Sequence, residues 1–224
     1  MQAVQVHSRE DTHTETTEKK VYIIDDVEVK PSTGYRFIKR LFDIVASLLF
    51  VSVLLLPMLV IGALIWCSSP GPALFRQERL GLNGKKFTML KFRSMVNDAE
   101  AEGPQWATEN DQRCTKIGAF LRKTRLDELP QLWNILKGDM SFVGPRPERE
   151  YFYDEFESYI IGFRKRLLVK PGLTGLAQVN GGYELLPEEK IVYDMAYIKN
   201  MSLKMDLKCI FKTVRLIFTH EGAR

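Results

Sequence analysis

The sequence predicts an α-rich α+β domain that is membrane-associated and monotopic, and three observations point there. Roughly 23 residues from Ile44 to Trp66 carry no charge, long enough at 1.5 Å per residue to match a hydrocarbon core about 30 Å thick. Pro57 sits near the middle of that run, and basic residues flank both ends. Beyond it, apolar residues return at helical spacing, with one pair of β-prone runs between.

Each element follows from local chemistry. Residues 1–34 mix Thr, Glu, Lys and His with one short alternation, "VYIIDDVEV", which predicts a mobile tail containing a little strand. Residues 35–70 form the membrane segment. Proline removes one helical hydrogen bond and presses on the preceding turn, so Pro57 predicts a broken helix. Arg36, Lys39 and Arg40 precede the apolar run, and Arg76, Arg79, Lys85, Lys86, Lys91 and Arg93 follow it. The positive-inside tendency puts both ends on the cytoplasmic side. A re-entrant helix that enters and leaves one leaflet satisfies both features; a single kinked span with an external tail is the alternative. A secretory signal is not expected, because more than forty residues come first.

Residues 71–224 form the domain expected to carry the chemistry. "ALFRQERLGLNGKKFTMLKFRSM" places two β-prone runs around Asn83-Gly84, which reads as a small hairpin. Lys91 and Arg93 fall on one side of its second run, two residues apart, where they could face an anion together. Helical spacing then runs through Ile117, Phe120 and Leu121 to Leu136, and an aromatic amphipathic helix is expected from Arg149 to Leu168. Pro145-Arg146-Pro147 is a stiff turn that fixes the arginine's direction. "PGLTGLAQVNGG" is a glycine-punctuated loop. In "SLKMDLKCIFKTVRLIF", Lys204, Lys208, Lys212 and Arg215 share one stripe. That pattern suits an interfacial amphipathic helix or, equally, a core-packed helix with a solvated basic face.

Composition narrows the chemistry. From Tyr35 onward 28 Lys/Arg stand against 21 Asp/Glu, a balance that favours anionic partners. The three cysteines lack metal-ligand or redox spacing, and the three histidines lie at the chain's extremes. A reducing setting follows, and histidine-based triads and histidine metal sites are excluded. No Rossmann or P-loop glycine motif and no Asp-x-Asp occurs. A nucleic-acid binder is disfavoured too, since no recognition module accompanies the basic residues.

What remains is carboxylate chemistry with fixed cations. In "RKTRLDELPQLWNILKGD" the adjacent acids Asp127 and Glu128 would point about 100° apart on a helix, so at least one faces a polar site. The bland reading is a surface pair neutralised by Arg122, Lys123 and Arg125. Against it stands the inventory of Lys91, Arg93, Arg122 and Arg146 near a membrane segment, which is what phosphoryl transfer requires.

Taken in order, "SPGPALFRQERLGLNGKKFTMLKFRSM", "RKTRLDELPQLWNILKGDMSFVGPRPE" and "VKPGLTGLAQVNG" resemble the bacterial sugar transferase family, the monotopic polyprenyl-phosphate phosphoglycosyl transferases. The resemblance covers about Tyr35 to the C-terminus. It implies an enzyme on the cytoplasmic face of the bacterial inner membrane. Such an enzyme moves a sugar 1-phosphate from a UDP-sugar to undecaprenyl phosphate, releases UMP, and starts capsule, exopolysaccharide, O-antigen or glycoprotein glycan assembly. By the same resemblance Asp127 is the nucleophile that becomes a covalent phosphosugar carboxylate, and Glu128 is its partner on the Mg²⁺ and acceptor side, the two acids holding the metal. Arg122, Arg146, Lys91, Arg93 and, in the matching loop, Gln178 match phosphate- or nucleotide-binding positions. Two positions depart from the family pattern: Leu56 stands where serine often precedes the membrane proline, and Gly182-Tyr183 stand where many members have Arg-Asn. The competing reading from another class is a non-catalytic adaptor for anionic membrane lipids. Which sugar is carried and whether the chain forms a homo-oligomer are left open.

Overall fold

The computed structural model describes residues 6–9, 20–29, 31–101, 103, 105, 111–182 and 185–219. Residues 1–5, 10–19 and 30 of the expected tail lie outside them, as do Tyr183 and His220. Strands β1 (Val6–Arg9) and β2 (Val21–Ile24) pair antiparallel, and β2, in the alternation noted above, also pairs in parallel with Ile160–Ile161. Ile24 is buried there.

Helix α1 spans Thr33–Ser68, 36 residues, or about 54 Å. Ser32 caps it by accepting from the Tyr35 amide at 3.2 Å. The two helices expected on either side of a break are instead one helix that continues through Pro57. The reason is packing. Asp43, Ser47, Val51, Leu54, Met58, Ile61 and Ile65 recur every three or four residues on one face and are all buried or packed against the domain, before and after the proline. Contacts in one register on both sides oppose the roughly 3 kcal/mol that proline costs a helix interior. The rest of α1 is apolar and unpartnered: Leu56 is 71% and Trp66 72% exposed. By length and composition the helix is sufficient to cross a membrane.

Polar contacts fix the first half of α1. Asp43 Oδ1 accepts from Ser141 Oγ and the Phe142 amide, each at 3.1 Å. Arg40 donates to the carbonyls of Ile135 and Leu136 at 2.7 and 2.8 Å. Asp206 accepts from Tyr35 Oη, Lys39 Nζ and Tyr197 Oη at 2.9, 2.9 and 2.8 Å.

The expected hairpin is β3 (Leu74–Leu80) and β4 (Lys86–Phe92), in register from Leu74 opposite Phe92 to Leu80 opposite Lys86. Asn83 and Gly84 take φ of 55° and 75° at its tip, the left-handed conformation that these two residues adopt most readily. The run from Ile117 to Leu136 is not one helical stretch. It divides into α2 (Lys116–Lys123), a 3₁₀ turn (Leu126–Glu128) and α3 (Gln131–Lys137). Arg125 adopts φ of 58° between the first two, and Pro130 precedes the third without an amide hydrogen to donate.

After β5 (Ser141–Val143), the single helix expected from Arg149 to Leu168 also divides, into α4 (Glu150–Glu157), β6 (Ile160–Ile161) and a 3₁₀ stretch, Phe163–Leu168. Gly162, at φ of 96°, makes the bend, and the Glu157 carboxylate accepts from the Gly162 and Arg164 amides at 2.8 Å each, bonding groups that a continued helix would have used. β7 (Gly172–Thr174) pairs in parallel with β5, and α5 (Pro187–Lys199) and α6 (Leu203–Thr219) complete the chain. The main core gathers Phe152, Phe156, Phe163, Ile191, Met195 and Cys209. On α6, Asp206 and Cys209 face inward, while Leu207, Phe211 and Phe218 are exposed beside Lys204, Lys208 and Arg215.

Asp43→Leu leaves a buried hydroxyl and an amide without their acceptor, a loss of about 1–3 kcal/mol. A thermal midpoint lower by roughly 3–10 °C is expected in detergent. Asp43→Asn keeps an acceptor and is expected to stay within about 2 °C of the parent.

Candidate active site

Asp127 and Glu128 lie on the 3₁₀ turn between α2 and α3, 7% and 8% exposed. The turn has two opposite faces. Leu126 and Leu129 pack with Ile65, Phe92 and Leu121, and with Met58 and Ile61 of α1, whereas the two acids line a cavity of about 390 Å³. Arg125 makes this possible at a cost. Its left-handed backbone, worth about 1–2 kcal/mol of strain in a non-glycine residue, ends α2 and reverses the chain.

The acids have unlike surroundings. Glu128 Oε1 accepts from Arg146 Nη2 in a short ion pair and from Lys91 Nζ at 3.4 Å. Burial alone would raise its pKa, but the charges of Arg146 and Lys91 outweigh burial and hold the carboxyl well below the usual range. Asp127 makes no hydrogen bond or ion pair with the described residues. Burial, with the Glu128 charge in the same direction, pushes it up to about 6 against the pull of Lys91, Arg146 and Arg122. One acid is pinned and permanently charged; the other is free and ionises just below neutrality.

Lys91, Arg122, Arg146 and Gln178 all line this cavity. Arg122 Nη1 lies 3.5 Å from Cys114 Sγ. Arg93 also lines the cavity, and the partners of its guanidinium lie in the loop after α1. It donates to the carbonyls of Pro70 and Ser69 at 2.6 and 2.7 Å and to Ser69 Oγ at 2.9 Å. Of the two cations expected to face an anion together, Lys91 meets Glu128 and Arg93 closes the C-terminus of α1. A Cβ on Gly71 would lie 2.3 Å from Arg93 Nη1, and Gly71 has φ of 113°, so the loop must be glycine there.

The Pro-Arg-Pro turn is held from behind. Arg166 Nη2 donates to the Arg146 carbonyl at 2.8 Å, and its Nε to Asp194 Oδ2 at 2.6 Å, with Arg166 only 1% exposed. Beside this pair, Glu148 meets Arg79 and Lys190 at 3.3 and 3.6 Å. Sequence reasoning missed this second layer. Arg166 sits in "FRKRLL" and reads as a surface cation, but Asp194 carried a signal: it is an acid on the α5 face that also presents Ile191 and Ile198. Glycine contact brings the Gln178 loop against the turn. Cβ atoms on Gly172 and Gly175 would lie 2.1 Å from the nitrogen and the oxygen of Gly144, respectively.

Among the described residues no group of three or more His, Cys, Asp or Glu is gathered for a metal. A hard cation such as Mg²⁺ needs only one or two protein carboxylates when phosphate and water complete its shell. Asp127, with neither oxygen bonded, and the second oxygen of Glu128 fit that requirement.

A carboxyl whose folded pKa is raised is stabilising only while protonated; that contribution is full below about 4 and lost as pH rises through about 6. Asp127→Asn is therefore expected to unfold roughly 2–6 °C higher than the parent at pH 8. The gap should close as pH falls to about 4, as read by thermal scans across that range.

Comparison with known proteins identifies the family. The family model for bacterial sugar transferases matches residues 34–220. The chain is 45% identical over 197 residues to the UDP-N-acetylgalactosamine-undecaprenyl-phosphate N-acetylgalactosaminephosphotransferase of Aeromonas hydrophila, covering 87% of this chain and 47% of that protein. It is 44% identical over 200 residues to the UDP-glucose:undecaprenyl-phosphate glucose-1-phosphate transferase of Klebsiella pneumoniae, covering 86% and 43%. A protein of that same name from Caulobacter vibrioides is 44% identical over 191 residues, covering 83% and 71%. The chain thus spans less than half the length of the first two relatives. Because that family model matches residues 34–220, well over half of its length, the chain belongs to the bacterial sugar transferase family.

Proposed function

We propose that this chain transfers a sugar 1-phosphate from a UDP-sugar to undecaprenyl phosphate, releasing UMP, at the cytoplasmic face of the bacterial inner membrane, and so begins assembly of a surface glycan or glycoprotein glycan. The observation that carries the reading is the unlike acid pair: an unbonded Asp127 next to a Glu128 pinned by Arg146 and Lys91, in one cavity. The names of the relatives supply the substrates.

The chemistry divides into two displacements. An Asp127 oxygen attacks the sugar-bearing phosphorus; the bond from that phosphorus to the bridging oxygen breaks, and UMP leaves with the electron pair. The product is an acyl phosphate carrying the sugar. An oxygen of undecaprenyl phosphate then attacks the same phosphorus, and the Asp127 carboxylate departs unchanged. Lys91, Arg122 and Arg146 hold the phosphate oxygens in line and offset their charge. Asp127 and Glu128 would hold Mg²⁺, which when bound supplies positive charge at the phosphates. The desolvated Asp127, ionised at neutral pH yet poorly bonded, is suited to attack.

The membrane arrangement follows from α1. Its packed face meets the domain on both sides of Pro57, whereas an upright span would carry one end away from it. This supports a monotopic helix with both ends on one side of the bilayer, its exposed apolar face and that of α6 turned to lipid. The acid turn is then held beside the headgroups, and the polyprenyl tail stays in the bilayer while its phosphate reacts.

Purified enzyme incubated with a UDP-sugar and Mg²⁺ but no lipid is expected to gain a sugar-phosphate mass on the peptide containing Asp127. Asp127→Asn is expected to lower UMP release at least about 10³-fold, as losses of covalent nucleophiles do. Absence of UMP with every member of a UDP-sugar panel would favour the lipid-adaptor reading. For the topology, a variant lacking Cys67, Cys114 and Cys209 and carrying Lys20→Cys should resist an impermeant maleimide in intact cells. It should react after permeabilisation, and labelling of intact cells would overturn the one-sided arrangement.

A further inference from the structure

Part of the lining of this highly charged cavity is apolar. Pro72, Leu74, Phe75 and Val96 line it and are all exposed. Phe75 lies opposite Lys91 in the hairpin register, so ring and ammonium stand on one face of the sheet, and Lys91 in turn reaches Glu128. The polar side chains beside this rim are already engaged. Gln77 donates to Glu100 at 3.2 Å and accepts from Arg79; Asn97 donates to the Pro70 carbonyl at 2.9 Å and accepts from Arg93 at 3.3 Å. The rim is also continuous with α1. The helix ends at Ser68 and the chain enters β3 at Leu74. A Cβ on Gly62 would lie 4.0 Å from both Ala73 Cβ and Phe92 Cε1, so the foot of the hairpin rests on the same helix that exposes Leu64 and Trp66.

Cations next to bare apolar atoms select the occupant. A free anion has no use for the rim, and the base and sugar of a nucleotide sugar carry polar edges that would be desolvated there without partners. A bilayer phospholipid interposes a polar glycerol between its phosphate and its chains. A polyprenyl phosphate joins the two directly, and so matches both parts: its phosphate suits Lys91 and Arg122, and its first carbons suit the rim. We propose that Phe75 seats the first isoprenoid unit of the acceptor, with Leu74 and Val96 extending the apolar path toward α1, and that the ring thereby determines acceptor specificity. The lipid phosphate then approaches the acid turn from the hairpin side while its tail remains on the apolar surface of the membrane helix. This assignment rests on the transferase reading above and adds to it the route by which the lipid enters.

Steady-state turnover of the full chain in nanodiscs separates the two substrates, using a UDP-sugar that supports UMP release and undecaprenyl phosphate. Phe75→Ala is expected to lower kcat/KM for undecaprenyl phosphate about tenfold, the worth of about 50 Å² of buried apolar area. It should leave kcat/KM for the UDP-sugar within about twofold of the parent. Phe75→Leu, apolar and of similar reach, should recover most of the loss, and thermal scans establish that both variants are folded. An unchanged acceptor kcat/KM in Phe75→Ala overturns the assignment. So does an equal fall for the UDP-sugar, which would give the ring to the base or the sugar instead. A second arm needs no turnover: the chain with p-benzoylphenylalanine in place of Phe75 is irradiated in phosphatidylglycerol nanodiscs containing undecaprenyl phosphate. The expected adduct has the mass of undecaprenyl phosphate, and an adduct with phosphatidylglycerol alone overturns the assignment. The two arms also separate the failures. Turnover by the parent without the polyprenyl adduct sinks only the seat at Phe75, whereas the adduct without UMP release from any donor sinks the transferase reading.

Discussion

Two carboxylates on consecutive residues, both buried, are the constraint on which the rest of the structure depends. Side by side in a desolvated site they repel, and leaving either uncompensated would cost several kcal/mol. The fold resolves this unequally. Glu128 takes the cations, Arg146 and Lys91, and Asp127 remains unbonded with a pKa moved to about 6. Each supporting feature serves that division. The hairpin delivers Lys91, the Pro-Arg-Pro turn delivers Arg146, and Arg166 with Asp194 keeps that turn in place.

The apolar side of the same turn explains why α1 belongs to the site as well as to any lipid surface. Leu126 and Leu129 bracket the acids in sequence and pack into a cluster with Met58, Ile61 and Ile65. The turn is therefore clamped between a hydrophobic helix behind and a charged cavity in front. The strained backbone of Arg125 persists because both sides over-determine it.

How much of this could be read from the sequence depended on the range of the signal. The hairpin was legible because Asn83-Gly84 is a local conformational demand, and α1 because 23 uncharged residues admit few alternatives. The acids and Arg146 were legible as an inventory of charge next to a stiff turn. The division of the Ile117–Leu136 run was not, because apolar spacing survives a 3₁₀ turn and nothing in the identity of Arg125 announces a left-handed backbone. Pro57 misled in the opposite sense: a proline's local preference for a break was overridden by packing of Met58, Ile61 and Ile65 with Phe92, Leu121, Leu126 and Leu129, which are distant in sequence. Arg93 shows the limit of reasoning from strand alternation. It lies one residue past β4, where the chain has left the strand, and its guanidinium closes a helix end. Arg166 and Asp194 are partners only in three dimensions.

Asp206 draws Tyr35, Lys39 and Tyr197 onto one carboxylate, and so yokes the start of α1 to α6. The two helices that expose most of the molecule's greasy surface cannot swivel independently. Their common stance, and with it the height of the acid turn above whatever plane they rest on, is a property of the fold that the surrounding lipid does not set.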